Sequence, residues 1–354
     1  MRWRLILILL FSLASAVLIN WPENWQPLLD EYYGGYLYPL IQRGLAAIPA
    51  PGRFPLVDIL WLAIPLLLIV RLLFIARKHA ILRIGRMIVE CGLWASAGLL
   101  MVMLLWGVNY QRPTLKEHLL NQGFATTLAE GHWQFAVAQT NEVTARLAGE
   151  YDLCSTQPHA IHPARPAAFA HSAMAQARLT PPPVSRNVNA SRWSYVYQRL
   201  RVAGFYSALT GEPTYSDRMY PYAIPFVALH EYAHWAGYAP EYDADIIGYW
   251  SAWLSPDPLW QYSAWLMWWA DVGVPRELAA QLDSEFRKGL LCLQDYNRNQ
   301  QRWDINKLAW KTYEQGLKAQ GVTQGLAAYG EGEAIALTSY QDWLFKARNR
   351  AAHQ

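Results

Sequence analysis

Charged residues are scarce in this sequence. Asp, Glu, Lys and Arg make up 16% of its 354 residues, against about 25% in an ordinary soluble domain. The net charge of +3 is too small for a nucleic-acid-binding protein, which needs a strongly basic face. The chain also lacks GxSxG, P-loop and GxGxxG motifs, so no sequence signal indicates a serine hydrolase or a nucleotide-binding enzyme.

Cysteine is also scarce, with three residues in the chain, which is too few for a disulfide-rich scaffold. Cys91 falls inside an apolar run. Cys154 and Cys292 fall in the more polar remainder, where an oxidising compartment would permit a bond between them. The sequence leaves open whether these two residues meet.

Hydrophobic residues make up 53% of the chain and are concentrated in three N-terminal runs. The runs over 56–70 and 87–108 suit membrane-spanning helices, which need about 20 apolar residues. The run over 5–19 is shorter. It is either a signal peptide ending at 14–16 or an uncleaved anchor, which we favour because the apolar run continues past that site. We therefore predict a membrane anchor of three transmembrane helices over residues 1–109.

Basic residues between the second and third runs set the orientation of this anchor. The positive-inside rule places their loop on the cytoplasmic side of the lipid bilayer. Three spans then place residues 110–354 outside the cytoplasm. The basic residues of the loop are Arg77, Lys78, Arg83 and Arg86.

Residues 110–354 are predicted to form a mainly α-helical domain with a small β-sheet. Alternating bulky and polar residues predict a strand over 194–206, either ordinary sheet or an edge that pairs with an extended peptide. Helices are predicted over 113–150 with a break at Gly123, and near 167–178, 241–254, 258–270, 275–296, 301–318 and 332–348, with a further helix starting at Pro225.

Tryptophan is abundant in one part of this domain, with six residues between 250 and 269. We favour core packing for them. The alternative is an interfacial belt that rests the domain on the lipid headgroups.

The segment from His230 to His234 is an HExxH motif. On a helix, positions four apart share a face, so both imidazoles can bind one Zn²⁺ ion. Glu231 lies beside them and is predicted to act as the general base that takes a proton from an activated water.

Catalytic zinc needs a third protein ligand and one open position. Gly237 permits a tight turn after the motif, and an acidic cluster follows it. We favour Glu241 as the third ligand, with Asp243 as the competing ligand. Asp245 lies one helical turn further on and is predicted to hold a ligand histidine through a hydrogen bond.

Residues before the motif are candidates for stabilising the oxyanion that forms during peptide hydrolysis. Four tyrosines precede the motif, namely Tyr206, Tyr215, Tyr220 and Tyr222. Tyr215 and Tyr222 are proposed for this role, and with 21 tyrosines in the chain packing is the competing interpretation of each. Glu212 lies in a Gly-Glu-Pro turn and is expected to have a structural role.

The pentad with a downstream glutamate resembles the gluzincin metallopeptidases. A longer part of the chain resembles the DUF3810 family of bacterial membrane proteins. The segments that carry this resemblance are WGVNYQRP at 106–113, GFY at 204–206, TGE at 210–212 and HExxHxxGYxxExDAD at 230–245. That family usually has Glu-Ala-Asn where this chain has Asp243-Ala244-Asp245. The resemblance implies a zincin-like site and a bacterial inner membrane.

The sequence therefore predicts a membrane-anchored zinc-dependent hydrolase, in particular a metallopeptidase that acts on a peptide or protein of the cell envelope. The alternative is a non-catalytic membrane protein with a structural or vestigial metal site that binds envelope components. An open position on the metal distinguishes the two, because structural zinc is closed by four protein ligands. The sequence carries no signal for the oligomeric state.

Overall fold

Helices dominate the computed structural model, which describes residues 2–48, 54–78, 83–124, 128–157, 162, 164–300, 311, 315 and 331–352. One small three-stranded sheet accompanies them. The mainly helical architecture with a small sheet is therefore confirmed. The helix predicted near 301–318 lies almost entirely outside the described residues.

The N-terminal third consists of long helices joined by short helical segments. Its principal helices are α1 (Arg2–Ile19), α2 (Tyr38–Ala46), α3 (Leu56–Lys78) and α4 (Arg83–Leu105), and the short segments are Glu23–Trp25, Gln26–Leu28 and the π-helix Leu29–Leu37. Two of these helices, α3 and α4, are long and apolar enough to cross a membrane. Only 11% and 17% of their apolar windows are buried, so most of this surface is exposed. Helix α1 is apolar but shorter, and it packs against α4.

Ion pairs join three of the N-terminal helices, α1, α3 and α4. Glu90 of α4 pairs with Arg4 of α1 and, at 3.0 Å, with Arg71 of α3. The Glu90 side chain is only 5% exposed. An isolated buried carboxylate would be costly, so the two arginines account for a charged residue inside this apolar surface.

The C-terminal domain is attached to one end of the α3–α4 pair. The carboxylate of Glu212 accepts the backbone N–H groups of Leu56 and Val57 at 2.9 and 2.8 Å, and so caps the first turn of α3. The Trp106 indole, directly after α4, donates to the His234 carbonyl oxygen. Since each helix has 23 residues, its other end lies about 35 Å away, and there the basic segment joins α3 to α4.

Ten further helices are described in the domain. They are α5 (Leu115–Asn121), α6 (Glu130–Leu147), α7 (Arg165–Gln176), α8 (Ser194–Leu200), α9 (Ile224–Trp235), α10 (Glu241–Trp253), α11 (Pro258–Val272), α12 (Arg276–Ala279), α13 (Ser284–Asn299) and α14 (Glu331–Ala352). The predicted break lies at Gly123, whose φ is +71°. The helix predicted over 275–296 is divided in two, because Asp283 caps a new helix by accepting the N–H of Glu285.

The sheet consists of β1 (Asn189–Ala190), β2 (Gly204–Ser207) and β3 (Glu212–Tyr215), in the order β1-β3-β2. Strand β2 is antiparallel to β3 and forms an edge. The strand predicted over 194–206 is wrong for most of its length, because residues 194–200 form α8. Ser194 and Tyr197 are buried three positions apart, which is the helical spacing, and Arg201 ends the helix with a φ of +56°.

The domain core is aromatic. All six tryptophans between 250 and 269 are at most 3% exposed, so they pack the core and do not form a lipid belt. Cys154 and Cys292 form a disulfide, with their Cα atoms 5.5 Å apart. This bond joins the segment after α6 to α13.

Candidate metal centre

The predicted ligands lie where α9 meets α10. His230 and His234 are one helical turn apart on α9, and their ring centroids are separated by 4.8 Å. The chain turns back at Gly237, whose φ of +100° favours glycine, and Glu241 then begins α10. Ligand atoms of His230, His234 and Glu241 all lie within 4.8 Å of one another, the only such group among the described residues.

Each histidine is held through its Nδ1 atom. His230 Nδ1 lies 2.7 Å from Asp245 Oδ1, and His234 Nδ1 lies 2.8 Å from the backbone carbonyl oxygen of Tyr238. Both partners accept hydrogen bonds, so Nδ1 carries the hydrogen in each neutral ring. This arrangement leaves both Nε2 lone pairs available to a metal, which is the tautomer that metal-binding histidines adopt.

Both Nε2 atoms face the same carboxylate oxygen. Glu241 Oε2 lies 3.1 Å from His230 Nε2 and 3.5 Å from His234 Nε2. Such short contacts are favourable in two states: with protonated rings that donate to the carboxylate, or with neutral rings and a cation between the three groups. Two imidazoles and one carboxylate are a donor set that zinc accepts, so these residues fit the metal that the sequence predicts.

The two neighbouring buried glutamates, Glu231 and Glu241, have pKa values that are shifted in opposite directions. Burial raises the pKa of Glu241, but without a metal, protonated His230 and His234 rings donate to it from Nε2, which outweighs burial and holds that pKa well below its usual range. Burial also raises the pKa of Glu231, in this case to about 7. Glu231 Oε2 has no hydrogen-bond partner among the described residues, so its carboxylate is available to a ligand.

Strand β2 packs directly against Glu231. A Cβ atom at Gly204 would lie 2.6 Å from Glu231 Cγ and 2.7 Å from Cδ. Such distances are far below van der Waals contact, so only glycine at this position leaves room for the carboxylate. The strand and the candidate base therefore share one wall of the site.

The other two acidic candidates lie outside the ligand group. Asp245 holds His230, as described above. Asp243 accepts the backbone N–H of Leu115 at 3.0 Å, and this contact places its carboxylate at the start of α5. Behind Asp245, Glu333 of α14 is 4% exposed, and its Oε2 has no hydrogen-bond partner among the described residues.

Comparison with known proteins gives a family for this chain. A family model described as "Protein of unknown function (DUF3810)" matches residues 33–336. The chain belongs to the DUF3810 family. No curated protein and no solved structure matches it. The DUF3810 match includes both candidate spans, the three grouped ligands and Glu333.

Two aromatic residues contact this site of the DUF3810 chain. Trp106 packs edge-on against His234 with 5.7 Å between ring centroids, and Tyr206 lies 6.4 Å from the same ring. Sequence reasoning named Tyr206 among the tyrosines before the motif but assigned no role to Trp106, whose one sequence signal is its place in a segment that carries the DUF3810 resemblance.

The proposed oxyanion residues have other described partners. Tyr222 donates its hydroxyl proton to the carbonyl oxygen of Asp152 at 2.7 Å. Tyr215 belongs to β3, where it pairs with Gly204. Their role in oxyanion stabilisation stays a prediction. Tyr110, which the sequence did not single out, has its pKa raised by burial and by the nearby Glu241 carboxylate.

Proposed function

We infer that this protein is a membrane-anchored, zincin-like metallopeptidase. The observation that carries the inference is the orientation of His230, His234 and Glu241. Both histidines hold their Nδ1 hydrogens on protein acceptors and direct Nε2 at one carboxylate oxygen. An arrangement in which every ligand is preorientated is typical of a metal site.

The reaction assigns distinct tasks to the chain's own residues. Zinc held by His230, His234 and Glu241 would supply a Lewis acid that activates water and polarises the peptide carbonyl. Glu231 would accept a proton from water on Oε2, which has no hydrogen-bond partner among the described residues, and deliver it to the departing amine nitrogen. Water adds to the carbonyl carbon, the C–N bond breaks, and the products are a carboxylate and an amine.

The number of protein ligands favours catalysis over a structural metal. Three donor side chains converge among the residues that the structure describes. Catalytic zinc sites use three protein ligands and leave one position for water, whereas structural sites use four. The unpartnered oxygen of Glu231 beside this group is a second feature that a structural site does not need.

Two further observations support an extracytoplasmic domain. The domain lies at the opposite ends of α3 and α4 from the basic residues at 77–86, so the positive-inside rule favours a domain outside the cytoplasm. The Cys154–Cys292 disulfide requires an oxidising compartment. These arguments are independent, since one rests on loop charge and the other on redox chemistry.

Metal analysis and hydrolysis of a peptide library test the proposal. Purified wild-type protein should hold about one zinc per chain and cleave library members. His230→Ala should lose the metal, and Glu231→Gln should keep the metal and lose cleavage. His162→Ala and Glu142→Gln change exposed residues of the same types and should behave as wild type. Absence of metal from the wild type, or full activity of Glu231→Gln, would contradict the proposal.

A further inference from the structure

The His234 side of the metal centre rests on the end of a candidate membrane helix. Trp106 directly follows the last residue of α4, and its indole N–H donates to the His234 carbonyl oxygen at 3.1 Å. The same ring packs against the His234 imidazole. A single tryptophan side chain therefore connects the end of α4 to the candidate ligand His234.

Helix α2, which lies between α1 and α3, contacts the same end of α9. Tyr38 and Gln42 both donate to the carbonyl oxygen of Trp235, at 3.0 and 2.7 Å. The last carbonyl groups of a helix have no partner inside it, so these contacts satisfy an exposed end of the metal-binding helix. The metal centre is thus attached to the anchor by two separate segments.

The side of the site that carries Glu231 also borders the anchor. Gly204 of β2 packs on Glu231, and the adjacent Phe205 lies 5.7 Å from Trp61 of α3, measured between ring centroids. Trp61 is 53% exposed. It lies about 7 Å along the helix axis from Leu56, near the end of the candidate span, and tryptophan favours the ends of membrane spans, at the lipid headgroups. With α3 in a membrane, strand β2 would therefore lie at the level of the membrane surface.

Resting on the proposed peptidase function, we propose that the substrate is a polypeptide segment held at the membrane surface beside its own membrane anchor. The headgroup layer on one side of a bilayer is about 5–8 Å thick, and an extended chain advances about 3.3 Å per residue. The cleaved bond is therefore expected within about three residues of the anchor. Confinement to the same bilayer also raises the effective concentration of such a substrate.

The test uses full-length protein in zinc-containing liposomes and one peptide sequence that the wild type cleaves. The peptide is presented in three forms: fused directly to a transmembrane helix, fused through a flexible spacer of about 30 residues that spans roughly 30 Å, and free in solution. The measured quantities are kcat/KM and the position of the cut by mass spectrometry. Glu231→Gln in the same liposomes reports cleavage that does not come from this site.

The directly fused form should be cleaved with a kcat/KM at least about tenfold above that of the free peptide, with the long-spacer form between them. Equal values for the three forms, all lost in Glu231→Gln, would overturn the membrane-surface substrate and leave the peptidase standing. No cleavage of any form by zinc-loaded wild type would overturn both.

Discussion

The two sides of His230 are both acidic and buried, yet they differ in what the acids touch. In front of the ring, Glu231 packs against Gly204 and retains an oxygen that has no hydrogen-bond partner in the described part of the chain. Behind it, Asp245 is committed to His230 Nδ1, with Glu333 nearby. Under the proposed function, the front acts on the ligand and the back holds the histidine. Substitutions on the two sides should therefore alter different measured quantities.

The largest effect is expected on kcat/KM, from Gly204→Ala at the front of the site. The new methyl group would collide with the Glu231 side chain and displace the candidate base. Since a general base contributes about 10²–10⁴-fold to rate, kcat/KM should fall about 100-fold while bound zinc stays unchanged. Gly131→Ala is the control, because a Cβ there meets nothing within 4 Å. Unchanged kcat/KM in Gly204→Ala would remove Glu231 from its role.

A smaller effect is expected at the back, from Asp245→Asn. Loss of the carboxylate weakens the hold on His230 Nδ1, and such changes typically reduce metal affinity about 10–100-fold. Competition titration with a chelator measures the affinity, and saturating zinc should restore most of the activity. Asp243→Asn keeps an acceptor for Leu115 N–H and should leave zinc affinity unchanged. The reverse result would identify Asp243 as the residue that supports the metal.

The smallest effect is expected from Glu333→Gln. It is a change in the free energy of unfolding, and its size depends on pH. Burial, followed by the charge of Asp245, raises the pKa of Glu333 from 4.5 to about 7. Because the folded state holds this proton more tightly than the unfolded state, the wild type loses stability as pH rises through about 7. The neutral glutamine avoids that loss, so the variant should be more stable by about 1–2 kcal/mol at pH 8.

Thermal unfolding in detergent at two pH values tests this expectation. Below the unfolded pKa of 4.5 the wild-type carboxyl is protonated in both states, so the advantage of Glu333→Gln should disappear. Glu142→Gln, at an exposed position, should show no difference at either pH. An equal gain at acid and alkaline pH would indicate a packing effect unrelated to charge.

The parts of the site that were predictable are those encoded by local spacing. The two histidines share a face because they are four positions apart on a helix, and Glu241 returns to them because Gly237 permits the turn. Gly204 packs against Glu231 from 27 positions earlier in the chain. Glu333 lies behind Asp245 on α14, about 90 positions after it. Neither contact leaves a periodic signal in the sequence.

The same limit explains the errors in secondary structure. Alternation over 194–206 suggested a strand, but burial of Ser194 and Tyr197 against the domain selects a helix, and tertiary packing overrides so short a pattern. Glu212 was expected to stabilise its own turn. It instead caps α3, more than 150 positions earlier, a partner that no local rule identifies.

The disulfide encloses the metal site within a covalent loop. Cys154 and Cys292 are 138 positions apart, and all three grouped ligands lie between them. In the chain-entropy description, closing a loop of this length removes about 5 kcal/mol of freedom from the unfolded chain. That stabilisation is missing while the thiols remain reduced. The domain that carries the candidate metal centre is therefore expected to reach full stability only after this bond has formed, so under the proposed topology maturation of the site would follow export.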